Sequence, residues 1–360
     1  MTDQAAHPRD ATAPRVPRLT APPAPQARAP ATRAPTLSVV IPYHRGQAVI
    51  GEAVRSVLAQ TLAPEEIVIC DDGSPDDLDA GLGELREHVR VVRRPNGGIA
   101  AAMNALTDAA RGDYLVQLDQ DDAFEPGRLE ALARVLTERP DIDVLATDAR
   151  IELDGRTVAT LEQVNPYPAT DGRIALLRTC TFLWPAIRRE ALVAAGGYDT
   201  SLAVMQDWEC FLRLVLGGAV TGFVHEPLYR WRLTPGSRSS RDRVANVAAQ
   251  VQMTEKVLAA CPLDERERAA ALWLLAARRR RLELERARAA VIGGRPGARR
   301  LSARMLAGAG FDRATRAKAL VAVVSPALAR RFMERRSERS DPAVEALARR
   351  GLRLVPTGES

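Results

Sequence analysis

The sequence predicts an α/β fold, with a mostly parallel sheet flanked by helices and a helical extension at its C-terminal end. Five short runs rich in β-branched residues alternate with helical patterns from residue 37 to about residue 153. From about residue 246 the pattern is helical throughout and rich in Ala and Arg. We therefore expect a disordered Pro/Ala/Arg-rich tail (1–36), an α/β domain (37–245), a basic helical extension (246–335) and a loosely ordered tail (336–360).

Each predicted strand is a short apolar run bounded by turn-forming residues. LSVVIP ends at a proline, EEIVICDDGS ends in two carboxylates and a glycine turn, and HVRVVRRP ends at a proline. DYLVQLDQDD and DVLATDARIEL supply the fourth and fifth strands. The helices between them have apolar residues spaced by three and four, and they lie in AVIGEAVRSVLAQTL, near 76–87, in GGIAAAMNALTDAARG and in PGRLEALARVLTERP.

Charge is distributed unevenly along the chain, whose formal net charge is +6. Residues 37–277 carry a net charge of −10, and residues 278–360 a net charge of +13. An acidic domain argues against nucleic acid as a partner, whereas the basic C-terminal part fits an anionic surface. The four cysteines form no CxxC pair, which argues against a disulfide framework or a zinc site. We find no apolar run of membrane-spanning length and no signal peptide, so we expect a cytoplasmic protein.

Polar side chains follow three of the predicted strands where each strand ends. Asp71 and Asp72 end the second strand, Arg93, Arg94 and Asn96 follow the third, and Asp119, Asp121 and Asp122 end the fourth. In parallel sheets, ligands bind beyond these carboxyl ends. On a strand, Asp119 and Asp121 would point to the same side, and such a pair favours a divalent cation between the carboxylates. The alternative is an Asp-rich turn before the helix that begins near Pro126.

Four stretches, in this order, resemble a family 2 glycosyltransferase, an inverting enzyme with the GT-A fold that uses a nucleotide-sugar. They are SVVIPYHRGQAVIGEAVRSVLAQTLAPEEIVICDDGSPDD, NGGIAAAMNALTDAARGDYLVQLDQDD, GGYDTSLAVMQDWECFLRL and YRWRLTPGSRSS. The resemblance covers roughly residues 37–240. It implies that Asp119 and Asp121 hold a divalent metal, Mn²⁺ or Mg²⁺, and that Asp207 is the general base that deprotonates the acceptor hydroxyl. The implied nucleotide-sugar ligands are Pro42, Tyr43, Asp71, Asp72, Arg94, Asn96, Gly98, Asn104, Asp119 and Arg232.

Several of these residues also have a purely structural interpretation. Asp207 could be the N-cap of the helix that follows it, with Trp208, Phe211 and Leu212 in the core. Trp184 and Tyr198 lie either near the acceptor or in the packing of the domain. Arg232 and Arg238 either neutralise phosphate oxygens or are solvated on a loop. The family usually has a histidine where this chain has Thr234, which puts metal binding from that loop in doubt.

Alternative functions follow from the same residues. The resemblance implies transfer to a hydroxyl of a glycan, of a lipid-linked acceptor or of a secondary metabolite. A sugar-phosphate nucleotidyltransferase would need a Gly-rich basic loop after the first strand, and IPYHRGQAVI lacks one. A non-catalytic glycan-binding or scaffold protein on the same fold is the other alternative. The basic extension either contacts an anionic membrane peripherally, at the inner face of the cell membrane, or packs on the catalytic domain with its arginines in solvent.

Overall fold

The computed structural model describes residues 33–168, 171–233, 242–295, 297–307 and 311–337. Within these ranges nine strands form one sheet, in the order β3-β2-β1-β4-β8-β6-β9-β5, with β7 paired to β6. The predicted α/β class with a helical C-terminal part is confirmed. The strands are β1 (Leu37–Tyr43), β2 (Glu66–Asp72), β3 (Arg90–Arg94), β4 (Tyr114–Gln117), β5 (Ala123–Phe124), β6 (Val144–Leu153), β7 (Arg156–Thr160), β8 (Ala186–Arg188) and β9 (Thr221–Arg232).

Thirteen α-helices and one 3-10 helix (Gly83–His88) occur in the described residues. Those of the first part are α1 (Ile50–Leu58), α2 (Leu78–Leu82), α3 (Ile99–Ala109), α4 (Arg128–Glu138), α5 (Leu161–Val164), α6 (Gly172–Arg178), α7 (Arg189–Ala194) and α8 (Gln206–Leu216). The later ones are α9 (Arg243–Ala260), α10 (Glu265–Ile292), α11 (Ala298–Ala307), α12 (Arg313–Val324) and α13 (Pro326–Ser337).

The sheet has a parallel half and a mixed half. Strands β3, β2, β1 and β4 are parallel, with Tyr43 of β1 in register with Asp71 of β2. Strand β8 is antiparallel to β4 and β6, whereas β6 and β9 are parallel to each other. All seven residues of β1 are buried, as expected for a central strand that helices cover on both faces. The carboxyl ends of β1, β2 and β4 therefore meet at one edge.

Helices pack on both faces of the sheet. One face carries α1 and α4, through side chains such as Ile50 and Leu132. The other carries α3 and α8, and the same apolar cluster includes Met253 of α9 and Leu274 of α10. The first two helices of the basic extension thus share a core with the α/β domain. Buried Arg278 of α10 donates to the carbonyl of Leu177 at 2.8 Å, which adds a polar contact between the two parts.

The last helices form a smaller cluster around the end of α10. Helix α12 ends at Val324 and α13 begins at Pro326, because a proline disrupts a helix interior but suits the first position of a helix. No helix of the described ranges is both long and apolar enough to cross a membrane. Most of the predicted N-terminal tail (1–32) and of the C-terminal tail (338–360) lies outside the described residues.

Candidate active site

Asp72 organises the loop that joins β3 to α3. Its buried carboxylate forms an ion pair with Arg94 and accepts the backbone N–H groups of Gly97 at 3.0 Å and Gly98 at 2.7 Å. Gly98 is the N-cap of α3 and has a φ of +84°, a conformation that favours glycine. Asp71 is less buried and accepts the backbone N–H of Ser74 at 2.9 Å. The structure thus brings four predicted ligands, Asp71, Asp72, Arg94 and Gly98, to the same edge.

The loop after β1 lies beside this group. Pro42 is buried in β1 opposite Cys70, and the buried Tyr43 donates from its hydroxyl to Asp76 Oδ1 at 2.8 Å. Burial raises the pKa of Tyr43, and the hydrogen bond to Asp76 adds to the effect. Asn96 is exposed, with its Nδ2 3.2 Å from His44 Nδ1. Of these predicted ligands, Asn96 is the one that presents its side chain to solvent.

Asn104 joins α3 to the segment before α8. Its Oδ1 accepts the Tyr198 N–H at 2.7 Å, and its Nδ2 donates to the Tyr198 carbonyl at 2.9 Å. A Cβ at Gly197 would lie 2.6 Å from the same Oδ1, so the contact requires glycine there. Asn104 was expected among the nucleotide-sugar ligands, and the structure places both of its polar atoms on this backbone contact.

The acidic stretch after β4 is a turn. Strand β4 ends at Gln117, and the Asp122 N–H donates to the Asp119 carbonyl at 3.1 Å. The expectation that strand alternation aligns Asp119 with Asp121 was therefore wrong, because neither residue is on the strand. Asp119 instead accepts from Trp184 Nε1 at 2.8 Å and from Gln117 Nε2 at 3.1 Å.

Electrostatic repulsion is concentrated at Asp119. Burial raises its pKa to about 6, and the carboxylates of Asp121 and Asp207 add to this increase. Asp121 is partly exposed, and the described residues offer it no hydrogen bond. The turn therefore holds two partly exposed acids, of which Asp119 is fixed by protein donors and Asp121 has no hydrogen bond among the described residues.

Asp122, the third acid, ties this turn to β9. It is 2% exposed and accepts from the Tyr229 hydroxyl and from the Arg232 N–H, both at 2.8 Å. Burial raises its pKa well above the ordinary value, and Asp119 raises it further. The guanidinium of Arg232 forms an ion pair with Glu52, so this predicted phosphate ligand is engaged within the protein. Thr234 and Arg238 lie outside the described residues.

The tryptophan that donates to Asp119 is held in a stack with a second aromatic ring. Trp184 lies 4.1 Å from Tyr229 between ring centroids, at an interplanar angle of 8°. The backbone of Trp184 is left-handed, with a φ of +47°, and its carbonyl accepts from Arg128 Nη2 at 2.6 Å. Arg128 is fully buried, which lowers its pKa to about 10, and its guanidinium lies 5.1 Å from the Tyr229 ring centroid. Arg128 was not among the predicted site residues, because an arginine in an amphipathic helix pattern is ordinarily solvated.

Asp207 lies in the first turn of α8. The N-cap of this helix is Met205, with a φ of +66° and no side-chain cap, so the interpretation of Asp207 as the cap was wrong. Trp208, Phe211 and Leu212 are buried, as predicted. Burial raises the pKa of Asp207, and its carboxylate in turn raises that of Asp119.

The hydroxyl group of Tyr198 is buried and has no hydrogen-bond partner among the described atoms. Burial raises the pKa of Tyr198, with smaller contributions from Asp207, the predicted base, and from Asp119, a predicted metal ligand. Its ring packs in the apolar cluster that α3 and α8 share, as the packing interpretation predicted.

The carboxylates of this turn suit an open site for a hard divalent cation better than a site in which protein side chains surround the metal. Within the described ranges, no three His, Cys, Asp or Glu side chains are grouped to hold a metal. Asp119 and Asp122 accept hydrogen bonds from protein donors, whereas Asp121 has none in this part of the chain. Mg²⁺ and similar ions are often held by one or two carboxylates together with substrate phosphates. Asp121, with Asp119 beside it, fits such a site.

Comparison with known proteins agrees with the fold. The model of the family "Glycosyl transferase family 2" matches residues 38–192. Hyaluronan synthase of Pasteurella multocida is 34% identical over 203 residues, which cover 51% of this chain and 19% of that protein. An uncharacterized glycosyltransferase of Haemophilus influenzae is 26% identical over 196 residues, which cover 53% of this chain and 66% of the relative. The chain thus spans about a fifth to two thirds of these relatives.

Two solved structures share the fold. S. aureus TarS residues 1–349, in complex with UDP-GlcNAc, superposes with a TM-score of 0.57 at 18% identity and covers 84% of this chain and 92% of its own. Mannosyltransferase PcManGT from Pyrobaculum calidifontis, in complex with GDP-Man and Mn²⁺, superposes with a TM-score of 0.50 at 19% identity. This superposition covers 91% of this chain and 88% of the PcManGT chain. The segment 38–192 of the chain is thus similar to glycosyl transferase family 2.

Proposed function

We propose that this protein transfers a sugar from a nucleotide-diphosphate sugar to an acceptor hydroxyl. The observation that carries the proposal is that Asp71 and Asp72 end β2 and Asp119 follows the end of β4, at the carboxyl edge of the parallel half of the sheet where ligands bind in such folds. The pKa of Asp119 is raised there by burial and by the neighbouring carboxylates, which is typical of functional sites. These acids come from separate segments of the sequence, so their common edge is a property of the fold.

The nucleotide would lie along the edge formed by β1 and β2. Asp71 is a pure acceptor there and suits an imide N–H or a ribose hydroxyl. Asp72 is joined to Arg94 by an ion pair and to the Gly98 N–H by a hydrogen bond, so we propose that these three residues shape this part of the site. Asn96 would contribute its exposed amide. The TarS complexes with UDP and UDP-GlcNAc support a donor of this class on this fold.

Asp207 is the proposed general base. Its carboxylate would take the proton from the acceptor hydroxyl while the hydroxyl oxygen forms a bond to the anomeric carbon. The bond from that carbon to the diphosphate oxygen breaks, and the nucleoside diphosphate leaves with the electron pair. One displacement from the opposite side inverts the anomeric configuration. Burial favours this role, because a carboxylate with a raised pKa is a stronger base than one in water.

A divalent cation, Mn²⁺ or Mg²⁺, is proposed as the cofactor. Asp121 would be its principal protein ligand, with Asp119 beside it. When bound, the cation would neutralise charge on the leaving diphosphate. Trp184 and Gln117 orient Asp119 through their hydrogen bonds, and Asp122 fixes the turn to β9.

The acceptor is proposed to be a hydroxyl of a glycan or of a lipid-linked glycan. Relatives that match half of this chain are named hyaluronan synthase and chondroitin synthase, which supports a polysaccharide acceptor. A peripheral contact with an anionic membrane would bring a lipid-linked acceptor within reach.

A donor panel tests the proposal. Melting temperature and released nucleotide are followed with UDP- and GDP-sugars, with and without Mn²⁺ or Mg²⁺. We expect one donor to raise the melting temperature only with metal, because a ligand of the native state stabilises it. Asp121→Ala should remove the metal-dependent shift in melting temperature. Asp207→Asn should keep this shift but lose sugar transfer. Glu84→Gln, at an exposed residue, should keep both the shift and the transfer. If no donor binds at millimolar concentration while glycans do, a non-catalytic glycan-binding protein replaces this proposal.

A further inference from the structure

Helices α12 and α13 expose their larger apolar side chains and bury their alanines. On α12, Leu320 is 52% exposed and Val324 is 69% exposed, whereas Ala319 and Ala322 are buried. On α13, Leu328 is 47% exposed while Ala329 is buried. Burial of a leucine or valine contributes more than burial of an alanine, so a helix that folds only against its own protein would have the opposite arrangement.

The exposed apolar residues form one stripe. Ala317, Leu320, Val321 and Val324 have the spacing of one face of a helix, and all four are exposed. Leu328, four residues after Val324 in the sequence, is a further exposed apolar residue near the start of α13. We call these five residues the apolar stripe. Scattered exposed leucines are normal on proteins, but a contiguous stripe indicates a surface that a partner covers.

Cationic side chains lie at both ends of the apolar stripe. Arg313 is one turn before Ala317 on the same face of α12, and Arg331 is three residues after Leu328 on α13. Both are exposed. Residues 295–337 carry eleven Arg or Lys residues against two acidic ones. The stripe is thus an apolar strip within a strongly cationic part of the chain.

We propose that this α12–α13 face docks on the surface of an anionic lipid bilayer. The apolar stripe would lie at the boundary between headgroups and acyl chains, and Arg313 and Arg331 would contact lipid phosphates. A second copy of the chain is a poorer occupant, because a two-fold contact would bring these cations together. Residues 338–360 are also a poorer occupant, since they carry four acidic and four basic residues and supply no net negative charge.

Vesicle sedimentation with the full chain tests the proposal. The vesicles are phosphatidylcholine alone or with about 30% phosphatidylglycerol, at low and high salt. The apolar variant is Leu320→Glu with Val324→Glu. Its matched control is Leu58→Glu with Val193→Glu, because these residues are 43% and 52% exposed on the net-acidic α/β domain. The charge variant is Arg313→Gln with Arg331→Gln.

We expect the wild type and the control to bind anionic vesicles and not phosphatidylcholine. The apolar variant should bind at least tenfold more weakly. Each substitution removes an apolar side chain that would insert into the bilayer and replaces it with a glutamate, which the anionic headgroups repel. The charge variant should bind roughly 30-fold more weakly at low salt, which corresponds to about 1 kcal/mol for each cation. Unchanged thermal melting would show that each variant is folded.

Two results would overturn the proposal. The first is a wild type that stays in the supernatant with anionic vesicles at low salt. The second is an apolar variant that binds as well as the control, because the stripe would then have another occupant. Light scattering identifies that occupant as a second copy if a wild-type dimer becomes a monomer in the apolar variant. Vesicle binding requires neither donor nor acceptor, so its failure is distinguishable from failure of the proposed transfer reaction.

Discussion

Replacement of Asp119 by asparagine should stabilise the protein while it removes activity. The pKa of Asp119 is raised to about 6 from an ordinary value of 3.8, mainly by burial. A difference of about two pKa units corresponds to about 3 kcal/mol of destabilisation when the group is ionised. Asparagine can keep the hydrogen bond from Trp184 Nε1, and Gln117 can turn its amide to accept from the new NH₂ group. The substitution therefore removes a partly dehydrated charge and leaves residue 119 with a hydrogen bond to Trp184 and one to Gln117.

The sign of the pH dependence follows from the raised pKa. Between pH 4 and pH 6 the folded state binds more protons at Asp119 than the unfolded state, so the free energy of unfolding falls as pH rises through this window. The variant should match the wild type near pH 4 and exceed it by up to about 3 kcal/mol at pH 8. At about 2–4 °C for each kcal/mol, its melting temperature should rise by about 6–12 °C at pH 8.

Thermal and urea denaturation at both pH values provide the measurement, with Glu84→Gln as the control that removes an exposed carboxylate. The control should show no pH-dependent gain. A variant that is less stable than the wild type at pH 8 would refute the reasoning. It would mean that the hydrogen bonds to the Asp119 carboxylate outweigh the cost of its burial and of the neighbouring acids.

Three other substitutions probe the supports of the site. Trp184→Phe keeps the ring stack but removes the Nε1 donor to Asp119, so we expect turnover to fall roughly tenfold to a hundredfold by loss of about 1.5–3 kcal/mol of interaction. Asp207→Asn should lower kcat by about 10²–10⁴-fold with donor affinity within threefold, as isothermal titration and a transfer assay can establish. Arg128→Met should lower the urea midpoint by loss of the hydrogen bonds to Trp184 and Thr147, with about 1–3 kcal/mol of destabilisation.

Local patterns were sufficient for the parallel half of the sheet. The runs LSVVIP and EEIVIC lie in β1 and β2, because buried central strands are continuous apolar segments with clear turn residues at their ends. The same patterns placed Asp71, Asp72 and Asp119 at one edge, since the carboxyl ends of parallel strands coincide. The position of β4 was also predicted, but its end at Gln117 was not. The residues LDQDD that follow are compatible with a longer strand or with a turn.

Long-range contacts explain what local patterns missed. Strand β9 pairs with β6 between residues that are 77 to 80 positions apart in the sequence. The Tyr229 hydroxyl and the Arg232 backbone N–H of β9 supply the hydrogen bonds to Asp122. No local spacing connects TGFVHEPLYRWR to the acidic turn. The left-handed Trp184 is likewise imposed by its contact with Arg128, because a tryptophan has no intrinsic preference for a positive φ.

The site stores unfavourable free energy that the proposed donor and cation would relieve. Trp184 and Met205 are held in left-handed backbone conformations, each at a cost of order 1–3 kcal/mol. Asp119, Asp121 and Asp122 repel one another in a partly dehydrated turn. Both strained residues are linked to proposed site residues. Trp184 donates a hydrogen bond to Asp119, and Met205 is the N-cap of the helix that contains Asp207. A site that served only the stability of the fold would have no reason to gather them, whereas a cation and a diphosphate bound there would turn the repulsion into attraction.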